Sequence, residues 1–229
     1  MAEIIRINEN TWRIEEGMVR FFVFEGDERS LLIDSGMNTP DAAELAGSVT
    51  SKPLSMLNTH ADRDHISGNG AFDKCYMSPD EEANFREAGG TAEIIPIREG
   101  DIIDLGNRQL EIIDIPGHTP GSVAILDISH KALVSGDSVQ NGNIFMFGKY
   151  RSFESYIKSM NKLLTYKERV DTIYPSHGSF PVEPELIGKL IEGAEQIVNG
   201  QAEGKIVDMF GRPAKLFKFD YAGFLCEAT

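Results

Sequence analysis

Short apolar runs that end in a turn carrying histidine or aspartate recur along the chain, and no other feature constrains its fold as much. His60 stands just after the run Leu54–Leu57, and His177 stands just after Asp171–Tyr174. Asp137 follows a third apolar run in the same way. The ends of strands in a layered α/β fold converge on one edge of a sheet, so we expect these side chains to meet in one crevice.

The apolar periodicity predicts an antiparallel start followed by alternating strands and helices. The predicted strands are Glu3–Ile7, Thr11–Glu15, Met18–Glu25, Ser30–Gly36, Leu54–Leu57, Lys74–Met77, Ile94–Ile97, Gln109–Ile115, Val123–Asp127, Ala132–Ser135 and Asp171–Tyr174. The predicted helices begin near Thr39 and cover Ser78–Ala88, Phe153–Lys167 and Pro184–Val198, and a short hairpin closes the chain. This alternation predicts layered α/β packing with mixed sheets. No repeat or linker divides residues 1–229, which we expect to form a single domain.

Charge and cysteine content exclude several classes of function. The 22 basic residues against 36 acidic ones leave a formal net charge of −14, whereas nucleic-acid binding needs clustered Lys and Arg. No apolar run is long enough for a membrane helix, so we expect neither nucleic acid nor membrane as a partner. The two cysteines, Cys75 and Cys226, lie far apart in the sequence, which excludes a zinc ribbon and favours a reducing cytoplasm.

The segment His60-Ala61-Asp62-Arg63-Asp64-His65 carries the strongest local signal for chemistry. It holds four metal-capable side chains in what we expect to be a loop rather than a helix. Imidazole and carboxylate are usual ligands of zinc, iron and manganese. If the segment is extended, positions 60 and 62 point the same way, and the turn at 64–65 directs a second pair towards a second ion. The competing interpretation is a helix start with Asp64 as N-cap and His65 in the first turn.

Three residues outside this segment occupy matching positions in turns after strands: His118, Asp137 and His177. Each alone is a weak signal, because a lone histidine after Pro-Gly is usually a turn residue and a lone Gly-Asp is usually part of a loop. Together with the segment 60–65 they favour a metal site. His130 lies in a hairpin turn without this context, and we expect it to be dispensable.

The motifs HxDxDH at 60–65, GHTPGS at 117–122, SGD at 135–137 and SHG at 176–178 resemble those of the metallo-β-lactamase-fold superfamily. The resemblance covers nearly the whole chain. It implies an α/β fold of the αβ/βα four-layer sandwich type, with two mixed sheets flanked by helices and a dinuclear metal site between the sheets. The ligands that it implies are His60, Asp62 and His118 for the first metal, Asp64, His65 and His177 for the second, and Asp137 as the bridge between them. Asp34 matches an acidic residue behind the site that could orient a ligand; the alternative is a turn-forming residue.

Asp62 departs from the commonest family pattern, which has histidine at this position. A carboxylate is found there, as Glu, in the diiron flavoproteins of the same superfamily. The carboxylates of Asp62, Asp64 and Asp137, with one hydroxide, balance two divalent ions. We therefore expect two divalent metal ions as cofactors, zinc first, with iron or manganese as alternatives because hard oxygen donors favour them.

The resemblance implies a metal-dependent hydrolase whose metal-bridging hydroxide attacks a small-molecule ester, thioester or lactone-like substrate. Asp64 is the residue expected to orient the water or move its proton. The motifs are similar to those of glyoxalase II, but we expect only one helix and a hairpin after His177 in place of that enzyme's helical carboxy-terminal region. The alternatives are a non-heme diiron redox or oxygen-binding protein related to the diiron flavoproteins, and a metal-binding module without turnover.

The stretch Gln140–Arg151 is the expected substrate wall. Phe145 and Phe147 belong to an apolar run that cannot all face the core from a loop, and Lys149 and Arg151 can hold an anionic group. The alternative is that the two phenylalanines simply pack beneath the loop. The sequence leaves the oligomeric state open.

Overall fold

In the computed structural model, which describes residues 2–228, strands and helices follow one another as the sequence predicts for an α/β fold. The strands are β1 (Glu3–Asn8), β2 (Thr11–Glu16), β3 (Val19–Glu25), β4 (Ser30–Ile33), β5 (Leu54–Leu57), β6 (Lys74–Met77), β7 (Glu93–Pro96), β8 (Ile102–Asp104), β9 (Gln109–Asp114), β10 (Val123–Asp127), β11 (Ala132–Gly136), β12 (Asn143–Met146), β13 (Thr172–Pro175), β14 (Gly204–Met209), β15 (Arg212–Lys218) and β16 (Gly223–Glu227). The helices are α1 (Ala42–Gly47), α2 (Arg63–Ile66), α3 (Glu82–Glu87), α4 (Phe153–Leu164) and α5 (Leu186–Val198), with short 3-10 turns at Asn69–Ala71, Pro79–Glu81 and Lys167–Arg169.

The strands form three hydrogen-bonded sheets. The largest has the order β1-β2-β3-β4-β5-β6-β7, antiparallel as far as β4 and parallel from β4 onwards. The second has the order β13-β11-β10-β9-β8 and is antiparallel except for β13, which runs parallel to β11. The third has the order β12-β16-β15-β14, with β12 parallel to β16. All three sheets are therefore mixed.

Alternation along the inner strands divides their side chains between two cores. In β3, Phe22 and Phe24 pack against the second sheet, whereas Phe21 and Val23 pack on the other face with residues of α1 and α3. Successive side chains of a strand point to opposite faces, so one continuous apolar run supplies both cores. A run of this kind places the first sheet in the interior of the molecule rather than at its surface.

Helices α4 and α5 cover the outer face of the second sheet. Tyr156 and Met160 of α4 and Leu190 of α5 are fully buried in the core that they share with β10 and β11. The layers are thus helix, sheet, sheet and helix, which confirms the predicted αβ/βα sandwich. No helix within residues 2–228 is long and apolar enough to cross a membrane.

The segment 140–151, for which the sequence predicts a loop, contains strand β12. Ile144 and Met146 are buried in the same core as α4 and α5, while Phe145 and Phe147 are half-buried. The sequence predicts a hairpin at the end of the chain but not the third sheet in which β12 joins it, and it does not predict the three-residue strand β8. Since β12 pairs with β16, which lies far along the chain, the local pattern of the segment does not reveal its partner.

Candidate metal centre

The predicted site residues lie in loops at one edge of the two inner sheets. His60 follows β5, His118 follows β9, Asp137 follows β11 and His177 follows β13. β9, β11 and β13 point the same way, because β9 and β11 are both antiparallel to β10 and β13 is parallel to β11. Their carboxyl ends therefore meet at the same edge, as the sequence predicts.

Two glycines allow the loops to approach each other this closely. Gly136 has a φ of 51°, and a side chain there would place Cβ 2.8 Å from the hydroxyl of Thr59. Gly117 has a φ of 145°, and its Cβ would lie 2.4 Å from the backbone of Tyr156 in α4. Only glycine tolerates both the conformation and the contact, so these residues set where Asp137 and His118 point.

The seven side chains form overlapping groups whose ligand atoms lie within 4.8 Å of one another. The groups are His60, Asp62 and His118; Asp64, His65 and His177; and His60, His65 and Asp137. The carboxylate of Asp137 lies between the first two groups, with Oδ1 3.2 Å from Nε2 of both His65 and His177 and Oδ2 3.7 Å from Nε2 of His118. This arrangement suits a carboxylate shared by two cations.

In each of the four histidines Nδ1 has a hydrogen-bonding partner outside the cluster. The partners are Thr59 Oγ1 for His60 (3.0 Å), Asp34 Oδ2 for His65 (2.8 Å), the Phe145 carbonyl for His118 (2.9 Å) and the Met18 carbonyl for His177 (2.6 Å). This leaves every Nε2 directed into the cluster. Partners of this kind fix the orientation of a metal-binding imidazole and raise its basicity.

Buried atoms without partners show that the cluster suits a cation. Among residues 2–228, Nε2 of His60, His65 and His118 and Oδ1 of Asp137 are buried and make no hydrogen bond. Buried polar atoms normally have a hydrogen-bonding partner. Four such atoms that face one another therefore need a partner that the chain does not supply. Imidazole nitrogen and carboxylate oxygen are the donor set of a divalent transition metal. The residues present therefore fit such an ion.

Charge within the cluster also favours a cation. Burial raises the pKa of Asp137, but His177 and His65 outweigh burial and hold it well below its usual value. Burial lowers the pKa of His177, but the carboxylates of Asp137 and Asp64 outweigh it and raise the pKa to about 10. The carboxylates of Asp64 and Asp137 thus favour positive charge beside them, which protons on His177 supply in the metal-free chain. A divalent cation would take their place and release them.

The segment 60–65 is not entirely a loop, contrary to the sequence prediction. Residues Arg63–Ile66 form one helical turn, with a hydrogen bond from the His65 N–H to the Asp62 carbonyl at 2.9 Å. Asp62, rather than Asp64, holds the N-cap position, and its side chain makes no capping bond. It lies instead with Oδ2 3.2 Å from Nε2 of His118. The turn is what brings Asp64 and His65 to the second group.

Asp34 lies behind the cluster and makes three hydrogen bonds there. It accepts from the N–H and the hydroxyl of Thr59 and bonds Nδ1 of His65, each at 2.8 Å. The residue is buried and has a φ of 62°, which is uncommon for a residue other than glycine. Strain of this kind persists where surrounding contacts hold the residue in place. The contacts are those of a residue that orients a ligand.

The carboxylate of Glu81 connects two of the loops, a role that the motifs of the sequence do not predict. The N–H of Ala61 donates to Oε2 and the N–H of Gly121 to Oε1, each at 2.8 Å, and the side chain is fully buried. Glu81 thereby joins the loop of His60 to the loop of His118. In the sequence it carries only the signal of an acidic residue in a first helical turn.

The guanidinium of Arg20 holds the loop of His177, a second role that the motifs of the sequence do not predict. It donates to the carbonyl oxygens of Pro175, His177 and Gly178 at 3.1, 3.2 and 2.6 Å and to the carboxylate of Glu15 at 2.9 Å. A charged residue inside the apolar run of β3 is the signal that points to such a role.

The predicted substrate residues differ in their surroundings. Phe145 and Phe147 contact each other with ring centroids 5.5 Å apart. Lys149 is exposed and bonds the carboxylate of Glu87, whereas Arg151 is mostly buried and donates to Asp62. Both cations already have partners within the chain, so an anionic ligand would compete for them.

His130 lies away from the cluster. It bonds Asp127 at the carboxyl end of β10, the edge of the sheet opposite to Asp137. A buried ion pair of Asp127 with Arg108 occupies that edge, with a distance of 2.6 Å between Nη2 and Oδ2. Its position supports the prediction that His130 takes no part in metal binding.

Comparison with known proteins gives one family. The model of the metallo-beta-lactamase superfamily matches residues 14–177. An acyl-coenzyme A thioesterase, MBLAC2 of Gallus gallus, is 28% identical over 196 residues, which cover 68% of this chain and 71% of that protein. The human mitochondrial persulfide dioxygenase ETHE1 is 32% identical over 118 residues, or 50% of this chain and 46% of that protein. The structure of a metallo-beta-lactamase from Pontibacter korlensis superposes with a TM-score of 0.74 at 19% identity, covering 85% of this chain and 99% of that one.

Proposed function

The chain belongs to the metallo-beta-lactamase superfamily and is a metal-dependent hydrolase, and we propose that it uses two divalent cations to cleave a small ester, thioester or lactone. The main support for this proposal is the convergence of the metal-capable side chains. Four imidazole Nε2 atoms and three carboxylates converge on one volume, and the inward-facing atoms that are buried have no hydrogen-bonding partner among residues 2–228. Buried polar atoms are normally paired, so a set of this kind supports a bound cation.

The ligands divide into two groups under this proposal. His60, Asp62 and His118 would hold the first ion, and Asp64, His65 and His177 the second, with Asp137 shared between them. The opposed oxygens of the Asp137 carboxylate, one facing each group, support the shared role. When bound, two such cations polarise a carbonyl oxygen and lower the pKa of a water molecule towards neutrality.

Asp64 is the residue that we propose positions the attacking water and accepts its proton. Its side chain is 29% exposed, more than that of Asp62 or Asp137, so it borders the open side of the cluster. Its Oδ2 lies 3.2 Å from Nε2 of His177. His65 and His177 hold the pKa of this carboxyl below its usual value against the effect of burial, which keeps it in the form that accepts a proton.

A thioester is the first substrate to test. MBLAC2 of Gallus gallus, which is 28% identical over 68% of this chain, is described as an acyl-coenzyme A thioesterase. The half-buried phenylalanines Phe145 and Phe147, with Lys149 and Arg151, remain the proposed substrate wall. An acyl group with an anionic part matches that combination of aromatic and cationic side chains.

The second candidate is a non-heme iron protein that acts on oxygen or carries electrons. Asp62 supports it, because a carboxylate in place of imidazole favours iron or manganese over zinc. The partial match to a persulfide dioxygenase supports it as well. Anaerobic purification followed by elemental analysis and a visible spectrum separates the two functions.

The test of the proposed function counts metal ions and measures turnover on the same samples. Wild type, His118→Ala, His177→Ala and the control His130→Ala are each loaded with zinc, iron or manganese. Each is then assayed on thioester, lactone and phosphodiester substrates. We expect two ions per wild-type chain, the loss of most of one ion in His118→Ala and in His177→Ala, and full occupancy in His130→Ala. Equal metal loss in all three variants, or a wild type that binds metal and cleaves none of the panel, would contradict the proposal.

A further inference from the structure

The side chain of Arg151 reaches the first metal group from the segment before α4. Its Nη2 donates to Oδ2 of Asp62 at 2.5 Å. The same oxygen lies 3.2 Å from Nε2 of His118 and 3.7 Å from Nε2 of His60. One carboxylate oxygen thus faces both a guanidinium and the pair of imidazoles that would hold an ion.

Burial makes this ion pair more than a surface contact. The side chain of Arg151 is 12% exposed and that of Asp62 is 22% exposed. Within residues 2–228 the bond to Asp62 is the only side-chain hydrogen bond of Arg151, and its Nε is buried without a partner. A buried guanidinium needs a counter-charge, so Asp62 is what holds Arg151 at the cluster. Asn84 occupies the other carboxylate oxygen, with Nδ2 3.3 Å from Oδ1.

We propose that Arg151 cancels the negative charge of Asp62, so that His60, Asp62 and His118 together present to a metal ion nearly the charge of three imidazoles. Arg151 is then a positioning residue that acts through Asp62 and sets which metal the first group prefers. This inference rests on the proposed function, since it requires that the first group binds a cation.

Charge repulsion predicts the direction in which metal affinity changes when Arg151 is removed. The guanidinium of Arg151 and a metal ion would face the same carboxylate oxygen of Asp62, and two positive charges so close together repel each other. The guanidinium also draws electron density from that oxygen. Removing Arg151 leaves a full negative charge on a hard donor. Every divalent ion should then bind more tightly, and manganese should gain more than zinc because it prefers oxygen more strongly. A residue that merely held Asp62 in place would have the opposite effect, since its loss would weaken binding.

The experiment is a double-mutant cycle read out as metal affinity. Metal-free wild type, Arg151→Gln, Asp62→His and the double variant are titrated with zinc and with manganese against a chromophoric chelator. Lys149→Gln is the matched control, because it removes an exposed cation from the same segment. Circular dichroism of each variant confirms folding before the titrations.

We expect Arg151→Gln to lower the Kd for manganese roughly tenfold or more and the Kd for zinc by less. In the Asp62→His background the same change should alter neither Kd by more than about twofold, because Arg151 no longer has its carboxylate. Lys149→Gln should leave both Kd values at those of wild type. Weaker binding in Arg151→Gln, or equal changes in both backgrounds, would overturn the inference.

Three further outcomes are distinguished when His118→Ala is added to these samples and KM is measured as well. If Arg151→Gln raises KM for anionic thioesters and leaves both Kd values unchanged, Arg151 is a substrate anchor and the inference is wrong. If wild type and His118→Ala bind neither ion, the proposed function itself fails. If wild type binds two ions and Arg151→Gln does not alter the preference between zinc and manganese, the proposed function stands and only the inference is refuted.

Discussion

Glu81 should be the residue outside the ligand set whose replacement most affects the metal centre. Its carboxylate accepts one backbone N–H from the loop of His60 and one from the loop of His118, each at 2.8 Å. Glu81→Gln keeps one acceptor oxygen and turns the other into an NH₂ group that faces a buried N–H. One hydrogen bond to a charged group is lost and one buried donor is left without a partner.

The size of the change in stability follows from the one hydrogen bond that Glu81→Gln loses and the one buried donor that it leaves without a partner. A buried donor without its partner costs about 1–3 kcal/mol, and the lost bond to a carboxylate falls at the upper end of hydrogen-bond energies. We expect Glu81→Gln to lower the free energy of unfolding of the metal-free protein by about 2–4 kcal/mol. We also expect metal affinity to fall by about 10–100-fold, as for other residues that hold metal ligands in place.

The assay is urea unfolding of chelator-treated protein, followed by circular dichroism, together with metal titration against a competing chelator. Glu82→Gln is the matched control, because Glu82 is the next residue and its side chain is 65% exposed. It should change the free energy of unfolding by no more than about 0.5 kcal/mol. If Glu81→Gln and Glu82→Gln behave alike in both measurements, the two loops are not held by Glu81.

Arg20→Ala removes three hydrogen bonds to the loop of His177 and should lower metal content by up to one ion per chain in elemental analysis; an unchanged metal content would contradict the role of Arg20. The pKa of His177 is raised from 6.5 to about 10 in the metal-free fold, so its stabilising charge is fully present below about pH 6.5 and is lost as the pH rises through about 10. The urea midpoint of metal-free protein should therefore fall across that interval while that of the metal-loaded protein does not, and a level midpoint in the metal-free protein would refute the assignment. Arg108→Met leaves Asp127 buried without its counter-charge and should lower the free energy of unfolding by about 3–5 kcal/mol. Metal content should stay at the wild-type value, because the ion pair lies at the opposite edge of the sheet, and a loss of metal would show that the two edges are coupled.

The sequence by itself determines the type and position of most elements and the place of the cluster in the fold. Periodicity reveals the strands because one residue in two faces each core, as in β3. Turn residues reveal where strands end, and a metal-capable residue directly after a strand must lie at the edge of its sheet. His60, His118 and His177 could be placed together on that basis, since each signal is contained within a few neighbouring residues.

Only the tertiary structure decides the contacts of groups that carry no local signal in the sequence. Strand β12 forms because β16 lies beside it, and Arg151 is held at the cluster because Asp62 supplies its counter-charge. Glu81 is buried because two separate loops offer it their N–H groups. Local propensity encodes periods, caps and turns, whereas the burial of a charge and the pairing of a strand depend on a partner far along the chain. The sequence around each of these residues therefore carries no sign of the contact that defines its role.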